Sequence, residues 1–451
     1  MVIRDLCRGN DGRRSKATGM GDTFRTKTNG SRANGVRTAQ ARTGLIGVLD
    51  VGSSKIACII GRAEAGGALR ILGSALHESQ GIRSGAVTNL ELADQSIRKA
   101  VDAAEQLADL RIQDVIISVQ CGQPKSLNSR AERGLDGVLL DDMHLRELLA
   151  QGKRQCREDG YETIQAAATS YVVDQTRGVT DPRGMFCERL GVSVHAVAVR
   201  TGPLHNLRLA VERCHLSIAR QLYAPYASGL ATLDPDEMSL GVTLIDMGAG
   251  CTSIAVFMEN SLVHVDSVPL GGAHITSDIA KSLSAPLGAA ERIKTLYGSA
   301  LATTDSGADL IDVPLMGESA DRGIDRVRRA RLTSVIQARL EEILDEAQSR
   351  LKKSGFDVAA GRRAVLTGGG SQLPGVREVA ARVTGKQVRV GRPQAFQGIA
   401  APATGPAYAT ALGLLIAGAT SPPEMNDPNP PTEVKSGRRG LARWLSPSLF
   451  G

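Results

Sequence analysis

The chain has 451 residues, 42% hydrophobic and 22% charged, which suits a folded globular protein of at least two lobes and excludes a wholly disordered one. Its 54 Lys and Arg exceed its 47 Asp and Glu, giving a net charge of +7. Residues 1–42 alone hold ten Lys and Arg against three Asp, so the rest of the chain is balanced, and the basic excess gives no support to a nucleic-acid-binding surface on the folded body.

Residues 1–42 are rich in Arg, Gly, Thr, Ser and Asn and read as a disordered basic tail, with Met20 a second candidate start. From Gly44 short apolar strands alternate with amphipathic helices. Leu45 to Leu49 and Ile56 to Ile60 read as strands joined by a tight turn, and Leu69 to Leu76 as a third strand. Leu90 to Leu107 has helical spacing and Val115 to Val119 is a further strand. A second segment repeats the first: Val242 to Gly248 matches Gly47 to Gly52 with Asp and Gly at an offset of 196. Ser253-Ile254-Ala255 is matched with Lys55-Ile56-Ala57, which makes the second turn longer by two residues. Lys125 to Thr201 reads as an inserted subdomain with a helix near Leu145 to Gln155 and a strand at Val192 to Val199. Helices follow at Ala273 to Leu283 and Ala289 to Tyr297. Thr303 to Gly317 reads as a loop, and Arg322 to Lys353 as one long amphipathic helix.

The seven cysteines stand alone, with no Cys-x-x-Cys pair, which fits a reducing cytosol and argues against a disulfide framework or a zinc site. No apolar stretch reaches the roughly 20 residues that span a bilayer, and the N-terminus has no apolar core like a secretory signal.

The glycine turns carry the chemistry. Asp50 ends a buried strand, where a carboxylate is costly unless it serves a charge such as a hydrated Mg²⁺ beside phosphates. Gly52, Ser53, Ser54 and Lys55 then offer N–H groups and one cation to phosphate oxygens. Asp246, Gly248, Ala249, Gly250, Cys251 and Thr252 can do the same from the repeat. A third run, Gly368, Gly369 and Gly370, lets the backbone approach a flat ligand closely. One such turn is weak evidence; three in order, two of them copies, form a candidate phosphate clamp.

In these motifs the sequence resembles the actin-like ATPase superfamily and, within it, the bacterial cell-division FtsA family. The resemblance covers about residues 44–418 and the last fifteen. It rests on Leu49-Asp50-Val51-Gly52-Ser53-Ser54-Lys55, Ile245 to Thr252, Leu366-Thr367-Gly368-Gly369-Gly370, and the connecting segments Tyr226 to Leu230 and Ala407 to Gly413. Thr276 to Ala280 followed by Ala290-Glu291-Arg292-Ile293-Lys294 is more specific to that family. The implied fold is α/β: an actin-like two-lobed ATPase fold of duplicated RNase H-like domains, with an inserted α+β subdomain and a C-terminal amphipathic helix. The first lobe would take residues 43–124, 202–238 and 396–419, with 125–201 inserted. The second would take 239–270 and 354–395, with 271–353 as a further subdomain. ATP and Mg²⁺ are the implied cofactors, with Asp50 and Asp246 holding the metal through water and Glu291 and Lys294 facing ribose and base. Ala224-Pro225 stands where vigorous ATPases of the superfamily place Glu or Gln, so hydrolysis is expected to be slow.

A proline-rich linker at 420–436 leads to 437–451, where Leu441, Trp444 and Leu445 share one helical face flanked by Arg438, Arg439 and Arg443. That is the pattern of a helix lying in a membrane interface. One such tail is a marginal anchor, and an array of tails on a polymer binds by avidity. The resemblance implies a protein that polymerises at the cytoplasmic face of the inner membrane, at the division septum. Its implied partners are membrane lipid, itself, the C-terminal peptide of FtsZ, and later division proteins through 125–201; no nucleic acid is expected. Arg326, Arg328 and Arg329, with Arg322 and Arg331 on the same expected helix, would receive the acidic peptide. The rival readings are a pilus-assembly protein of the same fold and a sugar-kinase-type enzyme, which would need a catalytic carboxylate that is not apparent.

Overall fold

The computed structural model describes residues 44–64, 68–302, 309–317, 323–394 and 404–422. The basic tail 1–42, most of the linker and the segment 437–451, with Arg438, Arg439, Leu441, Arg443, Trp444 and Leu445, lie outside the described residues, as does Arg322.

The first sheet grows from a hairpin of β1 (Gly44–Val51) and β2 (Lys55–Ala63), whose apolar residues are buried almost without a break because both faces are covered. β3 (Leu69–Glu78) pairs antiparallel with β2, and a small hairpin, β4 (Ile82–Arg83) and β5 (Ala86–Val87), follows. α1 (Leu90–Ala108) is capped by the Asn89 side chain, which accepts from the Leu92 N–H. It buries Ala93, Ile97, Ala100 and Ala104, at spacings of three and four, in the core of the first sheet. β6 (Asp114–Val119) then pairs parallel with β1.

The chain next leaves this sheet to build another from β7 (Lys125–Leu139), β8 (Tyr161–Val173), β9 (Thr176–Val179) and β10 (Phe186–Arg200), in the order β7-β10-β8-β9. α2 (Asp142–Gln155) supplies Leu145 and Leu148 to that sheet's separate core, with Leu190, Val192 and Val194. α3 (Thr201–Glu212) and β11 (Ser217–Tyr223) return to the first sheet and complete its order, β3-β2-β1-β6-β11.

After α4 (Ala224–Thr232) and α5 (Pro235–Leu240) the pattern recurs. β12 (Val242–Met247), β13 (Thr252–Met258) and β14 (Ser261–Val268) form the antiparallel part. α6 (Gly272–Leu283), α7 (Leu287–Tyr297), β15 (Leu310–Pro314), β16 (Ile324–Arg328), α8 (Arg329–Lys353) and α9 (Phe356–Ala359) intervene. β17 (Arg363–Thr367), α10 (Val376–Thr384) and β18 (Gln387–Val390) then finish a sheet ordered β14-β13-β12-β17-β18. The two five-stranded sheets thus have the same topology: an antiparallel three-strand half and two parallel strands beside the Asp-bearing strand.

A one-turn 3-10 segment, Pro406–Tyr408, leads into α11 (Ala409–Thr420). α11 crosses α4 so closely that a Cβ at Gly413 would fall 1.7 Å from the Ala227 carbonyl oxygen. Only glycine fits there. α11 is apolar all round and buried, and no described helix is long and apolar enough to cross a membrane.

Three expectations are corrected. Thr303 to Gly317 is not all loop, because Leu310–Pro314 is a strand with Ile311 and Val313 turned into the core. The long helix begins only at Arg329: Ile324–Arg328 pairs antiparallel with Leu310–Pro314, so Arg326 and Arg328 are strand residues. Last, the second turn is not longer than the first. Asp50 pairs with Ala57 and Asp246 with Ser253, so the offset of 196 holds through the turn and Cys251 is the counterpart of Lys55.

Candidate functional site

The Asp-bearing ends of β1 and β12 come together between the two sheets. Asp50 is 7% exposed, and the Ser118 hydroxyl on the adjoining β6 donates to its Oδ1 at 2.7 Å. Asp246 is 4% exposed. Its Oδ2 accepts from the Ser228 hydroxyl of α4 and lies 3.5 Å from the Thr410 hydroxyl of α11; the two hydroxyls are 3.0 Å apart. Both helices that link the sheets therefore hold this carboxylate. Burial pushes the Asp50 carboxyl above the usual range, against the Ser118 hydrogen bond and the Lys55 charge. Burial, aided by the charge of Asp50, pushes Asp246 up to about 6, with Ser228, Thr410 and Lys55 opposing.

Both turns close with the same backbone hydrogen bond, Gly52 N–H to the Lys55 carbonyl at 3.1 Å and Gly248 N–H to the Cys251 carbonyl at 3.0 Å. The carbonyls of Gly248 and Ala249 accept from Gly272 and Ala273, which fixes the second turn on the start of α6, and the Thr252 hydroxyl donates to the Leu270 carbonyl. In the first turn Ser53 Oγ accepts from the Gly85 N–H at 2.8 Å, while Ser54 is exposed. The turns face each other at contact distance. A Cβ at Gly250 would lie 2.6 Å from Ser53 Oγ and 2.7 Å from Ser84 Cα.

Lys55 is the cation at the centre. Burial lowers its pKa, opposed by the charges of Asp50 and Asp246. Cys251, in the equivalent place of the other turn, is buried, and burial with the nearby Asp246 pushes its thiol up to about 11. It is a small neutral side chain rather than a reactive thiolate.

The third glycine run bends against Asp246. Gly368 has φ +80°, and a Cβ there would stand 2.4 Å from Asp246 Oδ1. Gly370 packs on Met247, whereas Gly369 is exposed with open space on its Cβ side. A cavity of about 540 Å³ opens beside this run, lined by Ser371, Gln372, Gly375, Arg377, Arg392 and Gly405 among others. Glu291 and Lys294 meet at the start of α6: Lys294 Nζ donates to Glu291 at 2.7 Å, to the Thr276 hydroxyl at 2.8 Å and to the Gly272 carbonyl at 3.1 Å.

Three turns from distant parts of the chain thus converge, with Glu291 and Lys294 joined to the second turn through α6. Arg326, Arg328 and Arg329 stand apart from them, on β16 and the first position of α8. Arg326 is exposed and pairs with Asp312 at 3.3 Å; Arg329 donates to the Tyr297 carbonyl at 3.0 Å. Among the described residues no three His, Cys, Asp or Glu gather as metal ligands, so a cation here would have two carboxylates, water and a ligand's own oxygens. That donor set suits Mg²⁺, which keeps several waters. The sequence motifs include Ser228, Thr276, Tyr408 and Thr410 without giving them a role at the site, and Ser118 is not singled out at all. The only local signal was a hydroxyl within an otherwise apolar helix, as at Ser228 and Thr410.

The model of the family described as "Cell division protein FtsA" matches residues 243–413, and that of the "SHS2 domain inserted in FTSA" matches residues 121–198. A cell division protein FtsA of Agrobacterium fabrum is 40% identical over 385 residues, covering 83% of this chain and 87% of that protein. Those of Neisseria meningitidis (35%, covering 90% of this chain and 98% of that protein) and Escherichia coli (30%, 83% and 90%) are also similar. Among solved structures, the PilM–PilN type IV pilus biogenesis complex aligns with TM-score 0.59 at 18% identity, covering 84% of this chain and 99% of that one. MreB 5 of Spiroplasma citri, bound to AMPPNP, aligns with TM-score 0.50 at 11% identity, covering 83% and 96%. The duplicated sheets are the actin-like fold, the sheet of β7 to β10 is its SHS2 insert, and the chain belongs to the FtsA family of cell-division proteins.

Proposed function

We propose that the protein binds ATP between its two hairpins, assembles into an actin-like polymer on the cytoplasmic face of the inner membrane, and tethers FtsZ filaments there at the division septum. The observation that carries the nucleotide reading is the convergence of two buried carboxylates, one lysine and three glycine-bearing turns. In this reading Gly52 to Lys55 and Gly248 to Thr252 hold the phosphates, Gly368 to Gly370 the adenosine, and Glu291 and Lys294 the rim beside ribose and base. Mg²⁺, when bound, neutralises phosphate charge, and Asp50 and Asp246 would orient its waters. The turns touch, so nucleotide entry parts them. Ala224 and Pro225 open α4 as buried side chains with no group to orient a water, which supports slow hydrolysis.

Membrane attachment is assigned to Arg438, Arg439, Leu441, Arg443, Trp444 and Leu445, and later division proteins to 125–201. The division into lobes at the boundaries given above belongs to the same proposal. For the FtsZ peptide, Arg326 and Arg328 are the better candidates, because both are exposed on one face of β16, Arg326 beside Asp312, while Arg329 is half-buried and donates to the Tyr297 carbonyl. Reversing both to Glu is expected to weaken an acidic FtsZ peptide about tenfold and leave ATP binding intact; unchanged peptide affinity removes this site.

The test of tethering is liposome flotation with ATP and an FtsZ C-terminal peptide on a soluble reporter. The full chain should float and carry the reporter, and Trp444→Glu should abolish flotation while peptide binding in solution persists. If the full chain does not float although ATP binds, the anchor is wrong.

A further inference from the structure

The lysine of the first phosphate turn does not hydrogen-bond to either carboxylate beside it. Lys55 Nζ donates to the Ala407 carbonyl at 2.5 Å and sits 4.5 Å from the centroid of the Tyr408 ring. The preceding carbonyl, Pro406, faces the other lobe: it accepts from the Gly368 N–H at 3.2 Å and lies 3.4 Å from the Thr367 hydroxyl. Two consecutive carbonyls of one 3-10 turn thus tie the first phosphate turn to the third glycine run. The same turn leads directly into α11, whose Thr410 reaches Asp246 and whose Gly413 crosses α4. Pro406–Tyr408 is a strap between the lobes, and Lys55 is its fastening on the first-lobe side.

An ammonium over an aromatic face is held by the ring quadrupole, and a carbonyl at hydrogen-bond distance adds a charge-assisted bond. Phosphate oxygens offer the same ammonium a stronger partner. We propose that Tyr408 and the Ala407 carbonyl form a holding site for Lys55, so that the strap and a phosphate-bearing ligand compete for one ammonium. Tyr408 then sets the affinity for phosphates without touching them, and phosphate binding unfastens the strap from the first lobe. This rests on the nucleotide reading above.

The experiment measures Mg·ATP and adenosine affinities of the full chain by calorimetry, for wild type, Tyr408→Leu and Tyr408→Phe. Tyr408→Leu removes the ring from the resting position of Lys55 and is expected to tighten ATP about two- to fivefold, the size of an exposed to partly buried cation–π contact. Adenosine, which has no phosphate to draw Lys55 away, is expected to bind as in wild type. Tyr408→Phe keeps the ring and restores wild-type ATP affinity. If the leucine variant does not fold, Tyr408→Met, of similar bulk and without the ring, takes its place with the same expected result. ATP affinity that stays the same or falls on losing the ring overturns the proposal, and so does an equal change for adenosine, which would make Tyr408 part of the base pocket or a structural prop. Failure of the wild-type protein to bind ATP overturns the nucleotide reading itself.

Discussion

The hairpins β1–β2 and β12–β13 share their register across the turn and their closing hydrogen bond, yet their turns are chemically opposite. The first carries two serines and Lys55; the second carries Ala249, Gly250 and Cys251 in the corresponding places. One lobe brings charge and hydroxyls, and the other brings bare backbone that can be approached to contact distance. The carboxylates are supported differently as well. Asp50 is held by Ser118 within its own sheet, whereas Asp246 is held by hydroxyls from both helices that join the sheets. A duplicated element has kept its geometry and divided its duties: the second copy reaches the connection between lobes through its carboxylate, the first through its lysine.

The sharpest break of this comparison is at Asp246. Asp246→Asn keeps the shape and the hydroxyl contacts but removes the charge. Mg·ATP affinity is expected to fall on the order of a hundredfold, about 2.7 kcal/mol, with the fold intact by circular dichroism. The same variant has a pH signature. An aspartate raised from 3.8 to about 6 on folding binds more protons folded than unfolded, so it costs stability as pH rises through that window. Without nucleotide, Asp246→Asn is therefore expected to be more stable than wild type above pH 6, by up to about 3 kcal/mol, with the difference closing toward pH 4 in denaturant titrations. A difference that grows on acidification would reverse the sign and refute the burial argument.

A wedge tests the contact between the turns. Gly250→Val puts atoms into Ser53 and Ser84 and is expected to cost about 1–3 kcal/mol, read as a lower melting temperature. An unchanged melting temperature would mean the turns are not pressed together. The mildest test separates the counterparts: Lys55→Met should weaken ATP about tenfold, Cys251→Ala no more than about twofold. Equal losses would erase the asymmetry.

The topology of this molecule was legible where local pattern decides it. Continuous apolar runs ending in Asp-x-Gly marked both hairpins, and helical spacing marked α1 and α6. It was misread where patterns coincide. Ile324 and Val327 are three apart, which imitates a helix running into Leu332, but in β16 Val327 faces in and Ile324 faces out. The shared Ile-Ala of Ile56-Ala57 and Ile254-Ala255 drew the two copies into a false alignment by two residues, which only the backbone pairing resolves. At the site, the turns announce themselves because their chemistry is local. Ser118, Thr410 and Tyr408 do not, because each acts on a residue 68, 164 or, for Lys55, some 350 positions away, and nothing in the intervening sequence records that the fold closes there.

The most direct measurement of the central claim is equilibrium binding of ATP to the full chain with and without Mg²⁺, repeated for Asp246→Asn. The account predicts binding that Mg²⁺ strengthens in wild type and a weak, Mg²⁺-independent residue of binding in the variant. Equal, Mg²⁺-sensitive affinity in both would contradict it, and would mean that the two hairpins do not form the phosphate clamp.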